Sequence, residues 1–503
     1  MTNEKILFLR TVPIGSSRRE KELVHSAALS HAARVLHRRK KEKEKLQAQK
    51  ESLAIVGPVT ILREGNSDPF ESLALTVTPK VNEVMSFVRD YFLPASYVTE
   101  APAWIRTFGA DKEWYDSVET LHNECCARAF MLTYTTIIAN LVRSDELNFE
   151  KLNLKHESSV TLRAVIRKSP QGDLAILTSV LFLFAAETFG GNLFEATIHG
   201  KTLRALLYEK SQKEGSGSIE PSFLTRTLWY DVHLAESHMT RTIFDMDGWV
   251  TNTLGPTFKP VDKFLEPFSA DFMRNLDTSL DGEPLRTIFV QYRQALWLWT
   301  RPNPVADEDG WVGSHWVLGR SYINQGRLVN YFHDVKQVLE KLGFGKDVRT
   351  NTNDKIFWYT QGCLALGMLY FLTPLGGDPS ISGQPLLPTR KTLLLHLRAT
   401  MAMVLRFWID LDTESRSDLL YKYQNAHLWV VFLCAQGEQR DSETCQVPTN
   451  MWFNRALGYL LRHMRMSSWE LIKEKLTQFI YSDFIMPNGS GWVWKVVANT
   501  RSL

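Results

Sequence analysis

Asp173 to Leu207, DLAILTSVLFLFAAETFGGNLFEATIHGKTLRALL, limits more than any other stretch what this chain can fold into. From Leu174 to Ala186 there is no charged residue, so every face of a helix built here meets apolar neighbours. A surface helix would keep one polar stripe, and the pattern therefore predicts a helix at the centre of a core. Thirteen residues are too few to span a bilayer, and Asp173 and Glu187 close the run on both sides. Gly190-Gly191-Asn192 then breaks the helix, with glycine suited to a left-handed end and Asn192 suited to cap the next helix. The second helix is amphipathic through Leu193, Ala196, Thr197, Gly200, Leu203 and Leu207. The expected unit is a helix hairpin. Glu187 and His199 are its polar markers, read as a buried contact that fixes the hairpin angle or, on the other account, as a ligand contact.

The same periodicity runs through the rest of the chain. Thr78 as cap and Pro79 at the first helical position start a helix that repeats through Val81, Val84, Met85, Val88, Tyr91 and Phe92 and is expected to stop at Pro94. Helical patterns follow near 112–143, 156–168, 173–189, 193–210, 221–240, 268–276, 284–300, 313–342, 353–374, 389–410, 415–436, 450–464 and 467–484. Loops rich in Pro, Gly and Asp separate them, among them Arg301–Gly310 and Gly376–Pro388; Lys213–Ser218 reads as an exposed loop. Alternating strand patterns are almost absent, the best being Ile55–Leu62. The fold expected is all-α, an irregular array of antiparallel helix hairpins in one large domain preceded by a basic N-terminal helix. The boundaries are an arm at 1–56, a linker at 57–77 and a helical domain at 78–503, with a subdomain division near 213–220 left open.

Charge is unevenly placed on the 503 residues. Residues 1–50 hold 13 Lys and Arg against 5 Glu, an excess of eight positive charges, whereas the remainder carries 45 against 50. A basic arm on a mildly acidic body suits a polyanion, a nuclear import signal or an acidic partner. Arg34, Arg38, Arg39, Lys40, Lys41, Lys43 and Lys45 are the candidate residues for nucleic-acid contact or import, beside the plain reading of a solvated helix face. The five cysteines form no C-x-x-C pair, so neither a zinc module nor a disulfide framework is expected. No signal peptide and no run of 18 apolar residues is visible, which points to an intracellular, reducing setting without a membrane partner.

Catalytic motifs fail on inspection. Gly343-Phe344-Gly345-Lys346 lacks the first glycine of a phosphate loop, since Glu340 stands in its place, and Asp347 follows where Ser or Thr is required. His233 and His238 lie five apart, about 140° round a helix, and do not share a metal-binding face. Asp247-Gly248-Trp249 and Asp309-Gly310-Trp311 read as turns that anchor a tryptophan. Trp297, Trp299, Trp311 and Trp316 gather round one loop, filling gaps between helices or lining a ligand or peptide groove. No cofactor is implied.

Five segments carry a resemblance. They are the arm ending His37-Arg38-Arg39-Lys40-Lys41; Asp68-Pro69-Phe70 with Thr78-Pro79-Lys80-Val81-Asn82 into Tyr91-Phe92; the hairpin with Ala186-Glu187, Gly191-Asn192, Ala196, His199 and Leu203–Leu207; Leu228–Ala235; and Trp469-Glu470-Leu471 through Phe479-Ile480-Tyr481. In this order they resemble the fungal-specific transcription factor family, whose all-helical regulatory domain often follows a six-cysteine binuclear zinc cluster. The resemblance implies a non-catalytic nuclear regulator acting through its helical domain, with DNA contacted through the basic arm and proteins of the transcription machinery as candidate partners, and control of a metabolic or biosynthetic pathway as its setting. No cysteine precedes Cys125, so the zinc cluster that would place a helix in the major groove is missing. A DNA-binding regulator that uses the arm, and a helical ligand-binding protein or enzyme without a recognisable motif, stand as alternatives.

Overall fold

Caps and breakers set the helix ends as their chemistry requires. The structure, a computed structural model, describes residues 73–96, 113–168, 173–280, 282–300, 311–343, 348–372, 380–381, 384–410, 413–444, 451–483 and 491–494. The whole expected arm, with Arg34, Arg38, Arg39, Lys40, Lys41, Lys43 and Lys45, lies outside them, as does Ile55–Leu62. Helix α1, Pro79–Phe87, begins at Thr78, whose hydroxyl accepts from the Val81 amide at 3.3 Å. It does not stop before Pro94. A π turn, Val88–Phe92, leads into Leu93–Ser96, and the Leu93 amide bonds the Val88 carbonyl. That five-residue turn repositions the carbonyls ahead of Pro94, which has no N–H to give.

Residues 113–120 are helical, and the helices that follow include α2, Glu124–Val142; α3, Asp145–Lys168; α4, Leu174–Phe189; α5, Leu193–Glu214; α6, Pro221–His238; α7, Thr251–Leu265; α8, Ser269–Met273; α9, Leu285–Trp299; α10, Trp311–Gly343; α11, Val348–Leu372; α12, Thr389–Asp410; α13, Thr413–Thr444; α14, Trp452–His463; and α15, Trp469–Thr477. Strand among the described residues is limited to Ser380–Ile381 paired antiparallel with Gln384–Pro385. The chain is all-α.

Several stretches depart from the periodicity: α5 runs to Glu214, into the loop expected at Lys213–Ser218, α11 begins five residues before 353, and α15 ends at Thr477 rather than 484. The helix expected over 112–143 is broken at Asn123, whose side chain accepts from the Cys125 and Cys126 amides and opens α2. Helix α3 begins eleven residues before the expected start, at Asp145, because it is mostly solvent-facing and its polar N-terminal half shows no apolar stripe. Helix α13 runs past the expected end at 436 to Thr444. Helix α7 was hidden by Pro256 and Pro260, which ordinarily end a helix; here a π turn, Met246–Val250, starts it and five buried residues hold it.

The hairpin that dominates the sequence forms as its residues dictate. Thirteen residues of α4 are buried, including Glu187. The turn is a Schellman end: the Asn192 amide bonds the Glu187 carbonyl at 3.0 Å and the Gly191 amide bonds that of Thr188 at 3.2 Å. Gly191 takes φ 71°, the left-handed conformation that glycine enters without strain. Asn192 then caps α5 by accepting from the Glu195 amide. Helix α4 packs between α2 and α5, and side chains of α2 reach its backbone: Thr133 donates to the Phe182 carbonyl and Asn140 to that of Phe189, each at 2.7 Å.

Helix α6 joins this group to the rest, touching α4 and α5 on one side and α10 and α12 on the other. It is buried nearly all round in spite of its polar residues. Asp231 is satisfied by the Ile243 and Phe244 amides at 2.8 and 3.0 Å, and burial pushes its carboxyl up to about 7 against the pull of those two bonds. His233 donates from Nδ1 to the Trp229 carbonyl, and Ser237 meets Thr389 on α12. From α9 onward a second core gathers around Phe289, Trp429, Phe432 and Phe479, between α9, α11, α13 and α15.

Candidate functional site

Lys155 on α3 reaches the corner of the hairpin and places its ammonium 2.8 Å from Glu187 and 2.5 Å from Glu195. Burial alone would lower the Lys155 pKa; the two carboxylates outweigh it and raise it. The same ammonium holds the Glu195 carboxyl below its usual value. His199, one turn along α5, is half-buried, and burial lowers its pKa against the upward pull of Glu187 and Glu195. No hydrogen bond joins Glu187 to His199 among the described residues. The contact that fixes the hairpin is therefore Glu187 to Lys155. It was not visible in the hairpin's own sequence because the lysine lies on the preceding helix. One cation is thus shared by two carboxylates, which leaves the corner one negative charge in excess.

The tryptophans near 301–310 separate into different environments. Trp297 packs against Phe264, Phe268 and Phe272, with ring centroids 5.1–6.1 Å apart. Trp316 is fully buried and donates from Nε1 to Asp262 at 2.8 Å, a carboxylate that also takes the Arg320 guanidinium. The side chain of Trp311 is outside the described residues. Trp299 borders a cavity between α9, α10 and α11, together with Tyr292, Ser321, Tyr322, Gln325 and Phe371. The space open to water-sized molecules is about 30 Å³, and the empty volume counted together with adjoining solvent is about 520 Å³. The Tyr292 hydroxyl is engaged, donating to the Ser321 carbonyl at 3.0 Å. The indole N–H of Trp299 and Oε1 of Gln325 are buried and have no hydrogen-bond partner among the described residues. Burial raises the Tyr322 pKa far above its ordinary value, so this phenol stays protonated.

Other residues singled out by their spacing have structural roles. Asp247 pairs with Arg327, while the π turn before α7 is capped by Asp245, which accepts from the Gly248 and Trp249 amides. Trp249 stacks edge-on against Tyr208 at 4.4 Å. His238 bonds the Leu234 carbonyl within its own helix. Gly343 ends α10 and Val348 opens α11, so the glycine-lysine stretch between them connects two helices and follows no strand. Cys125, Cys126, Cys363 and Cys434 are buried free thiols whose pKa values burial raises, which makes them poor nucleophiles. Among the described residues no group of three or more His, Cys, Asp or Glu could hold a metal ion. Helix α2 is long and apolar enough to cross a bilayer, but most of it is buried inside this fold, as befits a core helix. Compared with models of protein families, with curated proteins and with solved structures, the chain matches none.

Proposed function

We propose that this chain is a nuclear, transcription-factor-like regulatory protein that acts by binding through its helical domain rather than by catalysis. The observation that carries the reading is the order of the resembling segments. Of the five, the arm and Asp68-Pro69-Phe70 lie outside the described residues; the segment from Thr78, the hairpin, Leu228–Ala235 and the segment from Trp469 fall on helices, or begin at one, within the unit Pro69–Leu503. The basic arm supports it, since a cluster such as Arg38-Arg39-Lys40-Lys41 suits an import receptor. Its excess of eight positive charges also favours direct contact with DNA phosphates. Base reading would need side chains held in a fixed frame.

The test is the location of the full chain. Fluorescently tagged and with nuclear export blocked, it is expected to accumulate in the nucleus, and a variant with Arg38, Arg39, Lys40 and Lys41 all replaced by Ala is expected to lose that accumulation. Retention of the unaltered chain in the cytoplasm would overturn the proposal. Chromatin occupancy of the full chain against one starting at Gly57 separates the two modes: occupancy that depends on the arm indicates DNA contact, and occupancy that persists indicates recruitment by a protein partner.

A further inference from the structure

We propose that the cavity between α9, α10 and α11 is a binding site for a small neutral molecule that presents both a hydrogen-bond donor and an acceptor on an apolar frame, as a primary carboxamide on a hydrophobic group does. Two unpaired polar atoms of opposite kind carry the inference. Gln325 is 4% exposed and its Oε1 accepts no bond; the indole N–H of Trp299 is buried and donates none. Buried polar groups in native proteins are nearly always bonded, and leaving one unpaired costs about 1–3 kcal/mol. An occupant that donates to Gln325 and accepts from Trp299 satisfies both. An indole N–H can only donate, so the polarity of the occupant is fixed at that end.

The lining excludes charge. None of the cavity's residues is Lys, Arg, His, Asp or Glu, and the Tyr322 phenol remains neutral. An ion there would lie in an apolar wall without a counter-charge. The 30 Å³ open to water-sized molecules admits one or two waters or a polar head of a few atoms. The cavity opens to solvent, which leaves the apolar remainder of the occupant against Leu296, Phe371 and Leu372. The site goes beyond the nuclear reading: binding can be present whether the chain is nuclear or cytoplasmic.

Titration calorimetry of the full chain with benzamide, and separately with sodium benzoate, is the experiment. Saturable binding of benzamide is expected, at least tenfold weaker for benzoate and at least tenfold weaker in both Gln325→Leu and Trp299→Phe, each checked for a native circular-dichroism spectrum. If Gln325→Leu does not fold, Trp299→Phe decides alone. Absence of saturable benzamide binding, equal affinity for benzoate, or affinity unchanged in the variants would each overturn the proposal. So would a crystal grown with benzamide in which ordered water alone bridges Gln325 and Trp299.

Discussion

Gly437 on α13 sits where three helices meet. A Cβ at this position would stand 1.7 Å from the Tyr370 hydroxyl of α11 and 3.2 Å from Arg390 of α12. The phenol is held in place, since Arg390 donates from Nε to its oxygen and from Nη2 to the Gly437 carbonyl. In an open helix alanine is better than glycine by about 1 kcal/mol, but here the ring or the helix must move. Gly437→Ala is therefore expected to destabilise the protein by about 2 kcal/mol in denaturant unfolding. The loss should shrink in the Tyr370→Phe background; an equal loss there would place the clash elsewhere. At this scale the sequence was legible where a residue acts on its own neighbours. Thr78, Asn192 and Gly191 cap and turn as their types dictate. It was silent where a residue answers to a distant one, as Gly437 does to Tyr370.

Between elements, the tie from α3 to the hairpin rests on Lys155. Glu187 is 7% exposed, and Lys155 supplies its ion pair at 2.8 Å. Removing the cation strands a mostly buried carboxylate, which costs more than removing the carboxylate itself. Lys155→Met is expected to lower stability by about 2 kcal/mol, Glu187→Gln by less, and the double variant should fall short of the sum, with a coupling near 1 kcal/mol in a double-mutant cycle. Additivity would show that the pair contributes nothing. The element scale also shows where periodicity fails as a guide. Helix α7 has no counterpart among the expected helices: Pro256 and Pro260 are residues that ordinarily end a helix, yet Leu254, Phe258, Val261 and Leu265 keep its buried stripe. Helix α4 was found because an uncharged run needs no partner to be recognised. The cavity was only half visible: Trp299 stood out as an aromatic near a loop, but Gln325 is one polar residue of a long helix, and only the packing of α9, α10 and α11 shows that its oxygen is unpaired.

Across the molecule, closure depends on bonds that span nearly two hundred residues, and no local pattern announces them. Helix α6 holds the first group of helices to the second, while the C-terminal end is fastened by Arg293 of α9. Its guanidinium donates to the carbonyls of Thr477 and Phe479 at the end of α15, and to those of Phe272 and Arg274 at the end of α8, over 2.7–3.0 Å. Burial lowers the Arg293 pKa to about 10, so the charge persists at neutral pH. Two helix C-termini, each with its negative dipole end, thus converge on one cation. Trp429 and Asn425 of α13 bond the same strip, through the Ile480 carbonyl and Gln478. Arg293→Met leaves four carbonyls without their donor and is expected to cost about 3 kcal/mol, two of the four bonds lying at the surface. In hydrogen exchange the loss should concentrate in residues 469–483 while α4 keeps its protection. Arg293→Lys should recover less than half, because one ammonium cannot reach carbonyls arranged for a planar fork. Full recovery by lysine would mean that charge alone, and not the geometry of the guanidinium, closes the fold.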